Sequence, residues 1–174
     1  MSSEVSDFGY TEDRTLVKRI TLKNAFIEVS VITYGATLQA LRLHNGDGIV
    51  DVVLGYDTVW EYERNNGRLG ATIGRIAGRT SGEPFEFDGR TCSLTKNRGD
   101  IHIHGGNRGF DKRVWYIESV RNDSVVLSNV ALDGEEGYPG RVTTYATFRL
   151  EDTGLMIRYD YKATNPTVIA VTNH

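Results

Sequence analysis

Alternation with a period of two is the feature that most constrains what this chain can fold into. From Val142 to Leu150 the even positions are Val142, Thr144, Ala146, Phe148 and Leu150; Arg141, Thr143, Tyr145, Thr147 and Arg149 take the other face. From Leu155 to Ala163 the odd positions are Leu155, Ile157, Tyr159, Tyr161 and Ala163, with Arg158, Asp160 and Lys162 opposite. Successive side chains of a strand point to opposite faces, so each run predicts a strand with one packed and one wet face. Glu151-Asp152-Thr153-Gly154 between them is a short, glycine-ending connection suited to an antiparallel hairpin. Similar runs cover Ala25–Thr33, Thr37–Leu43, Ile49–Leu54, Val114–Val120 and Ser124–Ala131. The dipeptides Asn45-Gly46, Asp88-Gly89 and Asp133-Gly134 supply turn residues that tolerate positive φ. One short helix is expected over Asp57–Arg64, with Asp57 as its cap. The pattern predicts an all-β protein, an antiparallel sandwich or barrel.

With 174 residues and no repeat or linker, the chain is expected to be a single unit over 1–174. The polar, acidic residues 1–13 are expected to be flexible or loosely packed, and they lack the pattern of a secretion signal. A net charge of −3 with mixed signs argues against nucleic acid or anionic membrane as partner, and no apolar run reaches the length of a membrane span. Cys92 is the sole cysteine, so an internal disulfide is impossible; it reads as a small buried hydrophobe in a reducing, cytoplasmic compartment.

Two glycine-dense segments, Asp100–Lys112 and Asp133–Gly140, interrupt the strands and are where a β scaffold would carry ligand-binding groups. Of the four histidines, His44 reads as a solvated turn residue. His102 and His104 form an H-x-H pair that a strand would put on one face, the basis of a rival metal-binding jelly-roll. Alternatively His104, followed by Gly105-Gly106, hydrogen-bonds a ligand that the glycines let approach closely. His174 follows Thr172-Asn173 after the apolar stretch Val168–Val171, read as a buried strand; by itself a histidine there is more often structural than catalytic. Arg75 and Arg79 are either surface charges or planar donors for sugar hydroxyls. Glu135 and Glu136 are adjacent on a loop and point apart, so they cannot flank a glycosidic bond; that loop reads as structural or rim-forming. Trp60 and Trp115 read as core residues rather than sugar-stacking platforms.

Four segments together resemble the aldose 1-epimerase, or galactose mutarotase, family: Gly70-Ala71-Thr72-Ile73-Gly74-Arg75 with Arg79; His104-Gly105-Gly106 through Arg108-Gly109-Phe110-Asp111-Lys112 to Trp115; Asp133 through Gly140; and Thr172-Asn173-His174. The resemblance covers the chain from about Leu16 onward. It implies a large antiparallel β-sandwich, the mutarotase-like supersandwich, of which this is the N-terminal part, with no metal and no cofactor. It implies His174 as the acid at the sugar ring oxygen, His104 as a hydrogen-bonding partner there, and Arg79 and Gly78 as substrate-facing positions. The expected activity is interconversion of the anomers of free aldohexoses such as galactose or glucose.

The chain departs from the family where Gly78 replaces the usual asparagine, where Ile169 and Ala170 replace a usual proline and asparagine, and at His102, usually small and polar. Family chains are roughly twice as long, and their catalytic base is a glutamate in the part beyond this chain. A complementary C-terminal half is therefore expected as a partner, and this fragment alone is expected to be inactive. The alternative is a non-catalytic sugar-binding or regulatory module, for which Gly78 is the feature of interest.

Overall fold

The computed structural model describes residues 1–44, 46 and 48–174. The first half of the chain builds a five-stranded antiparallel sheet in sequence order from β1 (Ser2–Tyr10), β2 (Leu16–Lys23), β3 (Ile27–Ile32), β4 (Thr37–His44) and β5 (Ile49–Asp51). After the helix α1 (Val59–Arg64) come the short strands β6 (Thr72–Ile73), β7 (Arg79–Ser81), β8 (Phe85–Phe87), β9 (Arg90–Cys92) and β10 (Ile101–Ile103). A second main sheet is the four-stranded meander of β11 (Tyr116–Val120), β12 (Ser124–Ala131), β13 (Val142–Leu150) and β14 (Leu155–Ala163), and β15 (Thr172–Asn173) follows. β15 pairs with β6, β7 with β10, and β8 with β9, all antiparallel.

The inner faces of the two main sheets share one core. Ile20, Leu22, Val29 and Val31 from the first meet Val125, Leu127, Ala146, Phe148 and Leu150 from the second. Each of these Val, Leu, Ile and Phe side chains, fully buried, stabilises the fold by about 1.5–3 kcal/mol relative to exposure. The β13 alternation is realised, with all five even positions buried. Its hairpin to β14 is also as expected, closed by the Glu151 N–H donating to the Gly154 carbonyl at 2.8 Å. On β14 the pattern fades: Leu155, Ile157 and Tyr159 are half-buried, but Tyr161 and Ala163 are exposed, because this strand is the open edge of its sheet.

Several expectations need correction. Residues 2–10, expected to be loosely packed, form the edge strand β1, paired along its length with β2. β2 escaped the pattern because its buried residues Val17 and Ile20 are three apart, which breaks the period of two. Predicted strand Ile49–Leu54 is realised only over Ile49–Asp51. The helix is capped by Thr58, not Asp57: the Thr58 hydroxyl accepts from the Glu61 N–H while the Glu61 carboxylate accepts from the Thr58 N–H. The helix lays Val59 and Tyr62 on the outer face of the first sheet, against Val17 and Ile32. Asp88-Gly89 turns as expected, both residues at positive φ, between β8 and β9. Asn45 of the Asn45-Gly46 turn lies outside the described residues. His44, expected as a solvated turn residue, instead ends β4 half-buried and paired with Ile49.

Val168–Val171 is not a buried strand: Val168, Ile169 and Val171 are half-buried and Ala170 is exposed. Among the described residues its one ladder contact is Ala170 beside Ile76, where the Ala170 N–H donates to the Arg75 carbonyl and the Ala77 N–H to the Ala170 carbonyl. Trp115 is core, its Nε1–H donating to the Phe110 carbonyl at 3.0 Å. Trp60 is not: it lies 62% exposed, with the Arg64 guanidinium over its ring. Among the described residues no helix is long and apolar enough to cross a membrane.

Candidate active site

The site grows from two short ladders. β7 and β10 pair Arg79 with Ile103, which sets Gly78 opposite His104. The His104 N–H donates to the Gly78 carbonyl (3.0 Å) and the Gly78 N–H donates to His104 Nδ1 (3.1 Å). With Nδ1 used as an acceptor, a neutral His104 carries its proton on Nε2 and presents it as a donor. β15 and β6 pair Thr172 with Ile73 and Asn173 with Thr72. Beyond them the His174 N–H donates to Ala71 and the Gly70 N–H to the His174 carbonyl, both at 2.9 Å. The Asn173 amide adds a 2.7 Å bond to the Gly70 carbonyl. These ladders bring His104 and His174 together edge to face, ring centroids 5.2 Å apart at 86°. Residues 70 positions apart in sequence thus meet, with Arg79 exposed beside them and Gly78 beneath.

Burial, then the positive charges of Arg68 and Arg79 with His174, hold the His104 imidazolium below its ordinary range. The same surroundings favour the neutral form of His104, while His174 stands at the exposed side of the pair. Gly78 has φ +90°, with open space where a Cβ would project.

His104 itself sits at φ +52°, just past the end of β10, so it leaves the strand. His102 therefore does not share a ligating face with it. His102 is fully buried, and its ring nitrogens contact the Thr95 carbonyl (2.7 Å) and the Tyr138 hydroxyl (2.5 Å), so neither is free to bind a metal. Gly105 and Gly106 serve the protein rather than a ligand: a Cβ on Gly105 would collide with the Gly74 carbonyl, and on Gly106 with the Glu136 carboxylate. Arg75 is buried but spent internally. Its guanidinium donates to the carbonyls of Pro139, Gly140 and Leu132 and to the Thr167 hydroxyl, and lies over the Tyr138 ring. The Glu135-Glu136 loop is structural, as read: Glu135 pairs with Arg113, and Glu136 accepts from the Arg108 N–H at 2.7 Å.

Two residues at the site were given no functional role from the sequence, Asp111 entering only as part of a family-like segment. Arg68, at φ +51°, donates through Nε to Asp111 Oδ2 at 3.0 Å; their side chains are 18% and 4% exposed. Asp111 lies on the loop that follows His104, its Oδ1 close to Gly109, while Arg68 leads into Gly70, which bonds His174. The ion pair thus ties the two histidine-bearing segments together. No period or motif announces such a contact between residues 43 positions apart.

Residues 18–174 match the family described as Aldose 1-epimerase. Similar proteins include galactose mutarotase of Sus scrofa, 36% identical over 159 residues, which cover 91% of this chain and 46% of the relative. Aldose 1-epimerase of Escherichia coli K12 is 35% identical over 158 residues, covering 89% and 46%. Among solved structures, galactose 1-epimerase from Lactobacillus acidophilus superposes with a TM-score of 0.86 at 29% identity, covering 100% of this chain and 52% of that one. An aldose epimerase homologue from C. elegans gives 0.84 at 31%, covering 90% and 49%. The chain spans about half the length of these relatives.

Proposed function

This chain belongs to the aldose 1-epimerase family, and from that premise we propose that it forms the acid and sugar-contact side of an enzyme that interconverts the anomers of free aldohexoses. The observation that carries the proposal is the edge-to-face pair of His104 and His174, with His104 Nδ1 occupied by the Gly78 N–H. His174 as imidazolium gives a proton to the sugar ring oxygen. His104 donates a hydrogen bond from Nε2 to the same oxygen, and Arg79 holds sugar hydroxyls. The C1 hydroxyl loses its proton to a carboxylate as the C1–ring-oxygen bond breaks, leaving an open-chain aldehyde. Rotation about C1–C2 and reclosure with the roles reversed give the other anomer. Each positioned acid or base supplies about 10²–10⁴ in rate, and proton transfers alone complete the cycle without a cofactor.

A carboxylate suited to the base role is not among the groups gathered here: Asp111 is held by Arg68. We assign the base to a complementary polypeptide matching the remaining half of the relatives' length. The open edge of β14, with Tyr161 42% exposed, is a surface it would cover. The lone buried Cys92 is in keeping with a reducing, cytoplasmic setting. The test is anomer exchange on freshly dissolved α-D-galactose and α-D-glucose by polarimetry, with the chain alone and joined to that second half. Exchange above buffer only in the joined form is expected; no exchange in either would overturn the assignment.

A further inference from the structure

Beside Ile103, the residue before His104, a groove of roughly 440 Å³ is lined by Arg68, Arg98 and Lys112 together with Asn66, Asn97 and Asn107. Its lining holds three cations and no carboxylate, in a chain whose net charge is −3. The framework is built: the Asn97 side chain accepts from the Ile103 N–H (2.8 Å) and donates to the Ile103 carbonyl (3.0 Å), so the floor is fixed. The backbones of Arg98 and Ile101 exchange hydrogen bonds, which anchors Arg98 at the rim.

The cations are incompletely used. Arg68 spends Nε on Asp111 and Nη1 on the Asn66 carbonyl (3.3 Å), leaving Nη2 without a bond among the described residues. Among the described residues the Lys112 ammonium makes a single bond, from Nζ to the Asn107 carbonyl at 3.1 Å. Arg98 makes no side-chain hydrogen bond or ion pair among the described residues, whereas Lys96 nearby pairs with Glu83. Several donors around one concavity, without a carboxylate in its lining, suit an oxyanion, which arginine binds through paired N–H groups and lysine as a point charge. The groove adjoins the histidine pair through its own lining: Ile103 precedes His104, and Arg68 leads through Leu69 to Gly70, whose N–H donates to the His174 carbonyl.

We propose that this groove is an anion subsite contiguous with the sugar site, and that it receives a phosphate monoester carried on the aldose at a carbon remote from C1. The inference rests on the sugar-site reading above and extends its substrate class from neutral to phosphorylated aldoses. A carboxylate on the sugar offers the same oxyanion chemistry with less charge.

The experiment is a ¹H–¹⁵N NMR titration of this chain with D-glucose, D-glucose 6-phosphate, D-glucuronate and inorganic phosphate at low and physiological salt. Glucose 6-phosphate is expected to bind at least about tenfold tighter than glucose and than inorganic phosphate, with the preference shrinking as salt rises. The Arg98→Ala and Lys112→Ala variants, both at exposed positions, should each lower that preference severalfold, while Lys96→Ala leaves it intact. Tighter binding of glucuronate than of the phosphate ester would assign the groove to sugar acids and overturn the phosphate assignment. Equal affinities for glucose and its phosphate, or phosphate binding with no gain from the attached sugar, would overturn the subsite. Those results leave the sugar-site reading untouched. Loss of anomer exchange in the joined protein, with phosphate-ester binding retained, would instead sink that reading and spare the subsite.

Discussion

Replacing Arg68 by methionine keeps most of the side-chain volume and removes the cation that pairs with Asp111. Asp111 is 4% exposed at its side chain, so its carboxylate would be left charged and buried. Breaking a buried pair from one side costs about 3–5 kcal/mol; because Arg68 retains 18% exposure, the lower end, about 3 kcal/mol, is expected at pH 7. The cost should also depend on pH. Burial raises the Asp111 carboxyl above its ordinary 3.8, and Arg68 opposes that rise. A carboxyl whose folded pKa is raised binds more protons folded than unfolded, so its contribution to stability falls as pH climbs through that window. Without Arg68 the folded value rises further, so the penalty of Arg68→Met is full above it and fades toward pH 3.8. The assay is urea denaturation at pH 7 and near pH 4. With a slope of about 2 kcal/mol/M, the midpoint should fall by roughly 1.5 M at pH 7 and far less in acid. A loss equal at both pH values, or under about 1 kcal/mol at pH 7, would refute the reasoning.

Two other perturbations test the site's construction. Gly105→Ala, which drives a methyl into the Gly74 carbonyl from a left-handed backbone, should lower stability by more than about 2 kcal/mol in thermal denaturation. Gly89→Ala, at φ +70° with open space, should cost only about 1 kcal/mol. An NMR pH titration should place the His104 midpoint below the ordinary 6.5, and Arg79→Ala should move it upward. Because that folded value is depressed, the stability His104 contributes is present above pH 6.5 and is lost as pH falls through the folded midpoint.

The sandwich was legible wherever alternation ran unbroken. β12 to β14 were readable to within a few residues because one face of each strand is packed or half-packed against the core and the opposite face is wetter. β1 was not, because an edge strand with mostly exposed side chains needs no apolar period to pair through its backbone. At the site, His104, His174, Gly78 and Arg79 were all named from sequence, and the two ladders bring them together. The misreadings share a cause. Arg75 and Gly105-Gly106 look like ligand-facing groups, but a donor-rich side chain and an absent Cβ serve internal carbonyls and close backbone packing equally well, and only the fold shows which. His102 was misplaced because the H-x-H geometry assumes a continuous strand, and the backbone turns left-handed at His104.

The proposed function makes His174 the acid of an anomer-interconverting enzyme that a complementary half would complete. The most direct measurement is two-dimensional exchange NMR on D-galactose with the joined polypeptide, comparing the native sequence with His174→Asn. Asparagine retains hydrogen-bonding capacity but cannot donate a proton as an acid, so the exchange rate should fall at least about 10²-fold while saturable sugar binding persists. A rate within a few-fold of native in His174→Asn would contradict the account.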